Sequence, residues 1–178
     1  MSIIFNNILL DAARLEVFIH VAKEINSFNS CLYKGTKDND LEDIAPYLFT
    51  FQENIAFTDW YFKVGWGQSW GILLFSSYPF DQVYNHFRKF LMVKTEDDEQ
   101  LYFRFYDPRV LRIFLPTCDE KQLKEFFGPI EQFICEDEDP AFALVFSFEK
   151  NTLKTQRITK ESLFESGEQK NQGRKFFV

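Results

Sequence analysis

The sequence predicts a mixed α/β (α+β) fold: one domain at residues 1–150 with a mixed sheet flanked by helices, then a short basic polar tail at 151–178. Three observations predict it. Short apolar runs alternate with amphipathic helical stretches. A hairpin pattern and other antiparallel runs argue against a purely parallel sheet. A chain of 178 residues with 46% hydrophobic content is enough for one core, and nothing in it reads as an inter-domain linker or an internal repeat.

The elements follow in order. NNILLDAA is a short strand leading into a helix that carries Leu15, Phe18, Ile19 and Ala22 on one face. A second short run, FNSCLYKG, closes on Gly35. Polar loop chemistry continues to Asp40, then a turn or short helix must end before Pro46, and YLFTF is extended. Residues 54–63 read as a helix with Ile55, Phe57, Trp60 and Tyr61 as its apolar set, broken by GWGQSW. GILLFSS, apolar throughout, fits a strand covered on both faces. Pro79 opens the clearest helix, with Phe80, Val83, Tyr84, Phe87, Phe90 and Leu91 on one stripe. FLMVKT and LYFRFY then form a hairpin around the acidic tetrad Glu96–Glu99. In its second strand Leu101, Phe103 and Phe105 point one way and Tyr102, Arg104 and Tyr106 the other.

Asp107 as N-cap and Pro108 at the first helical position start a helix expected to stop at Leu115, before Pro116. Thr117 with Glu120 reads as a capping box for the next helix, which carries Leu123, Phe126 and Phe127 and stops at Gly128 and Pro129. EQFIC and FALVFSF are two more strands. They are separated by a second acidic tetrad, Glu136–Asp139, read as a solvated loop. The tail is expected to be a loosely attached short helix or disordered, folding only with a partner.

Composition narrows the function. The formal charge is −7; residues 151–178 carry +3, which leaves −10 on the body. That balance argues against nucleic acid as a ligand. No apolar run approaches a membrane span and no signal sequence opens the chain, so a soluble cytoplasmic protein is expected. Cys31, Cys118 and Cys135 are odd in number with no CxxC spacing, so neither a disulfide framework nor a metal site is expected. With 23 Phe, either the core is Phe-packed or aromatic surface is left for a partner.

No phosphate loop, nucleophile elbow, zinc signature or cofactor motif appears, and no enzyme is expected. The two histidines, His20 and His86, limit any triad. His20 reads as solvated or at the core edge. His86, beside Arg88 and Lys89, would have to converge with Arg104, Asp107 and Arg109 for catalysis, and a structural hydrogen-bond network is the simpler reading. Trp66 and Trp70 read as core cover before docking surface. Arg104, flanked by Tyr102 and Tyr106, must either anchor an internal salt bridge or belong to a recognition surface. Arg109, in the first helical turn, opposes the helix dipole and is therefore singled out for an intermolecular contact.

LLDAARL, CLYKG with LEDIAPYLFTF, GWGQSWGILLFSS, HFRKFLMV, LYFRFYDPRVLRIFLPTC and EFFGPIEQF stand in the order, and near the spacing, of the type VI secretion adaptor family, which this chain resembles over residues 8 to about 135. The family more often has H-L-R where this chain has HFRKFL, and many members have an added helical C-terminal lobe for which this chain has no room. The resemblance implies a cytoplasmic, non-enzymatic chaperone that binds a secreted effector or toxin and helps load it onto the VgrG spike protein. It makes Trp66, Trp70, His86, Arg88, Arg104 and Arg109 candidates for protein contact, with Asp107 among the architectural positions. An immunity protein that occludes a toxin with its acidic loops is the alternative, and a small enzyme built on His86 and the Arg104/Asp107/Arg109 cluster a weaker one. Monomer and dimer are both compatible with the sequence.

Overall fold

A computed structural model describes residues 5–36, 39–51, 54–94, 97–98 and 100–164. Strand β1 (Asn7–Asp11) leads into α1 (Ala12–Leu15) and α2 (Phe18–Ile25), followed by β2 (Asn29–Cys31), a 3-10 segment (Asn39–Ile44) and β3 (Pro46–Thr50). Helix α3 (Ile55–Trp60) continues as a π-helical turn, Tyr61–Gly65, before β4 (Gly71–Phe75) and α4 (Phe80–Phe87). A small hairpin, β5 (Met92–Lys94) with β6 (Gln100–Tyr102), precedes α5 (Pro108–Thr117) and α6 (Glu120–Phe127). The described chain closes with β7 (Gln132–Glu136), β8 (Phe142–Glu149) and β9 (Thr152–Thr159).

The predicted fold class holds: one large sheet flanked by helices. The sheet runs β2-β3-β1-β4-β7-β8-β9, and every pairing in it is antiparallel, where both orientations were expected. Central position explains the continuous apolar runs. Leu9 of β1 lies between Leu48 and Ile72, and Leu73 of β4 faces Ile134. Residues 71–74 are all buried, as a strand covered on both faces requires. Gly71 is needed there, because a Cβ would run into the Leu9 carbonyl.

Most of the phenylalanines are buried or packed against the core. One ring cluster joins Phe87, Phe105, Phe126 and Phe133 beneath α4 and α6. A second joins Phe49, Phe57, Trp60 and Trp70. A fully buried aromatic removes a large area from water and gains about 0.5–1.5 kcal/mol more from each well-placed ring pair. These two clusters fix how the helices lie on the sheet.

Several local expectations are corrected. Helix α5 does not stop at Leu115: Pro116 lies inside its last turn and Thr117 is its final residue, its hydroxyl donating to the Phe114 carbonyl at 2.7 Å. The capping box belongs to Asp119 and Gln122, not Thr117 and Glu120; the Asp119 carboxylate accepts from Gln122 N–H at 2.8 Å and the Gln122 side chain accepts from Asp119 N–H at 2.9 Å. The second hairpin strand ends at Tyr102, so the expected alternation fails: Leu101 is exposed, and Phe105 and Tyr106 are both buried. Ile55 is 76% exposed and leaves the apolar set of α3. Helix α4 ends at Phe87, short of Phe90 and Leu91.

Two larger corrections concern the C-terminal part. Residues 152–159 are not a loose tail but the edge strand β9, paired along its whole length with β8. Leu163 beyond it is buried. The remainder, 165–178, lies outside the described residues. Glu136 does not belong to a solvated loop: it ends β7, is buried, and its carboxylate accepts the backbone N–H groups of Gly67 and Ser69. That clamp holds the Trp66–Trp70 loop, in which Ser69 takes a left-handed φ of +56°.

Candidate functional site

Two arginine–aspartate pairs stand side by side where β1 ends and α5 begins. Asp11, wholly buried at the end of β1, caps α1 by accepting Ala13 N–H at 3.1 Å, and its other oxygen accepts from Arg104 Nη2. Asp107 caps α5. Its Oδ1 accepts Arg109 N–H at 2.9 Å and Arg109 Nε at 3.0 Å, and its Oδ2 accepts Arg109 Nη2 at 2.6 Å. This fork geometry supplies the local partner that the sequence left Arg109 without. The Asp–Pro–Arg order builds it, since the N-cap carboxylate and the side chain two residues on share the first turn.

The two carboxylates respond differently. Burial pushes the Asp11 carboxyl above its ordinary range, against the opposing bond and charge of Arg104. For Asp107 burial also acts upward, but the Arg109 side-chain and backbone bonds, with the charges of Arg109 and Arg104, outweigh it and hold the group below the ordinary range. Burial pushes the neighbouring Tyr106 hydroxyl well up, with Tyr33 and Asp11 adding to it.

The pairs sit beneath an apolar surface. A cleft of about 200 Å3 lies over Tyr33, Leu41, Ile44, Tyr102, Arg104 and Tyr106. A broader depression of about 650 Å3 runs along α5 over Phe103, Arg104, Arg109, Val110, Ile113 and Phe114. A third, of about 310 Å3, shares Phe103 and Phe114 and continues to Phe90, Val93, Gln122 and Phe126. Phe103 and Phe114 form the ridge between the last two, their rings edge to face at 4.7 Å. Around it Ile113 is 73% exposed, Leu101 49% and Val93 39%, and Val93 faces Leu101 across the hairpin; Tyr102 points to the opposite face of β6 and packs against Tyr33. Exposed apolar side chains gathered on one face differ from scattered ones, which need no explanation.

The other sequence candidates lie elsewhere. Trp66 and Trp70 are buried in the core, and Trp66 Nε1 donates to the Pro140 carbonyl at 2.7 Å, so neither is available for docking. His86 is buried among Phe87 and Phe90, with Nε2 at 2.8 Å from the Phe126 carbonyl. Burial lowers its pKa. Its hydrogen bond and ring contacts go to Phe126, Phe87 and Phe90, not to Arg104, Asp107 or Arg109. Gly128 closes over its ring: φ is +47°, and a Cβ there would overlap the imidazole. Pro129 accepts the Ser76 hydroxyl at 2.6 Å. Arg88 donates to the Lys34 carbonyl at 2.8 Å and to Tyr84 at 2.9 Å, tying α4 to the turn after β2. His20 is exposed.

Sequence reasoning did not single out Asp11, Ile113 or Glu136. Asp11 could have been found as the N-cap before Ala12, but its partner lies 93 residues away. A fourth cleft of about 250 Å3 contains Ser69, Arg109, Arg112, Glu136 and Asp137; there Arg112 is committed to the Glu136 carbonyl at 2.8 Å. Among the described residues no three His, Cys, Asp or Glu side chains converge as metal ligands, and no helix is long and apolar enough to cross a membrane.

Comparison with known proteins gives one match. A family profile described as "Domain of unknown function (DUF4123)" covers residues 8–125, from β1 to the end of α6 nearly complete. No curated protein and no solved structure matches the chain.

Proposed function

The chain belongs to the DUF4123 family, and from that premise we propose that it is a non-enzymatic adaptor that binds a type VI secretion effector and helps load it onto the VgrG spike protein. The family's association with effector adaptors supports the system. The observation that carries the reading at this chain's own surface is the apolar face along α5 and the β5–β6 hairpin, with Ile113 73% exposed at its centre. A face of that kind serves contact with another protein, whose anchors are typically aromatic, Arg and large apolar groups. Arg104 and Arg109 border it, each already held in place by a carboxylate, which lowers the entropy lost when a partner closes over them.

The test is affinity capture of the full chain from bacteria carrying the secretion system, with bound proteins identified by mass spectrometry. Recovery of a secreted toxin in stoichiometric amount supports the adaptor. Recovery of a non-toxic partner alone, or of none, contradicts it.

A further inference from the structure

We propose that the α5–hairpin face receives an amphipathic helix of the partner, apolar on one side and flanked by Lys and Arg. The proposal rests on the adaptor reading and specifies the chemistry of its contact.

Shape favours a helix. The two depressions on either side of the Phe103–Phe114 ridge are continuous through those two residues and are lined mostly by carbon. A helix laid across the ridge presents side chains at i, i+3 or i+4, and i+7, about 10 Å from first to last, so that its apolar stripe can enter both. Strand addition is less suited, because β5 and β6 are three residues each and offer too short an edge.

Charge selects the flanks. The two arginines at the face are already neutralised, Arg104 by Asp11 and Arg109 by Asp107. Among the residues lining the two depressions one further charge remains, and it is acidic. Glu125 lines the α6 side of the third depression and is in no salt bridge among the described residues. Exposed Asp97 lies in the loop that joins β5 to β6. The chain as a whole carries −7. A second copy would bring like charge to the same face, whereas a basic helix is drawn to it.

The test uses a fluorescent model peptide of about 14 residues, long enough for about four turns, built from Leu and Lys in amphipathic order. Two controls accompany it: the same composition scrambled, and the amphipathic order with Glu in place of Lys. Anisotropy is measured with the full chain and with two variants of exposed isoleucines, Ile113→Asp on the face and Ile55→Asp on α3, both checked for folding by circular dichroism. The amphipathic Lys peptide is expected to bind at least about tenfold more tightly than either control and to weaken with salt. Ile113→Asp should lose about tenfold although it adds a negative charge, and Ile55→Asp should bind as the parent does. Equal binding of the three peptides, or equal binding by the parent and Ile113→Asp, overturns the proposal. The two readings fail separately: a toxin captured equally well by Ile113→Asp leaves the adaptor and removes this face. The expected peptide pattern without any captured toxin does the reverse.

Discussion

At the scale of single residues, the two arginines that look alike in sequence have unequal jobs. Both pairs join a buried carboxylate to a partly exposed guanidinium, but Arg104 reaches Asp11 across 93 positions, whereas Arg109 closes on the N-cap two residues before it. Arg104→Ala should therefore destabilise the fold by about 2–3 kcal/mol in urea unfolding, toward the low end of a broken buried pair because the guanidinium is partly solvated. Arg109→Ala should cost about 0.5–1 kcal/mol, because its half-exposed pair is local to the first turn of α5 and ties no distant segments together. Equal losses would contradict this division. The imidazole of His86 gives a pH signature. Burial lowers its folded pKa below the ordinary 6.5, so the unfolded chain binds the proton more tightly. Its contribution is complete above 6.5 and is lost as pH falls from there toward the folded value. Urea midpoints compared at about pH 7.5 and about pH 5.5 should fall less in His86→Gln than in the parent. At this scale Asp107, Pro108 and Gly128 were legible because capping is local chemistry. The partners of Arg104 and His86 were not, since pairing across 93 and 40 positions leaves no local trace.

At the scale of elements, the correction at the start of α6 makes a direct comparison. Asp119→Ala removes a cap and should cost about 1 kcal/mol, whereas Thr117→Ala, at an exposed helix end, should stay within about 0.5 kcal/mol. Thermal midpoints ordered the other way would restore Thr117 as the cap. The β5–β6 hairpin is a two-stranded sheet apart from the main one, and such ribbons are marginal alone. Hydrogen exchange should open its amides first and those of β1, β4 and β7 last, and partner binding should protect the hairpin. Strands buried on both faces, such as β4, were legible as apolar runs. Strand β9 was not, because six of its eight residues are polar and exposed and its two apolar ones, Leu153 and Ile158, lie five positions apart, so no period of two shows. Its pairing with β8 is decided by the antiparallel partner, a tertiary choice that a polar stretch does not announce.

For the whole molecule, composition predicted a surplus of aromatic side chains and left open where they would go. The fold places most phenylalanines in or against the core, and Phe103 and Phe114, packed onto Phe105 and Phe126 of the first cluster, also line the open depressions at its edge. The family match ends at residue 125, so β7, β8 and β9 complete the sheet beyond the matched segment. Apart from Phe126, the face on α5 and the hairpin lies within that segment. The most direct test of the adaptor account is light scattering of the full chain mixed with the toxin it captures, for the parent, Ile113→Asp and Ile55→Asp. The account predicts a stoichiometric complex for the parent and Ile55→Asp, and its loss in Ile113→Asp with the fold intact. A complex formed by none of the three would contradict the adaptor account, whereas one formed equally well by all three would keep the adaptor and contradict its placement on this face.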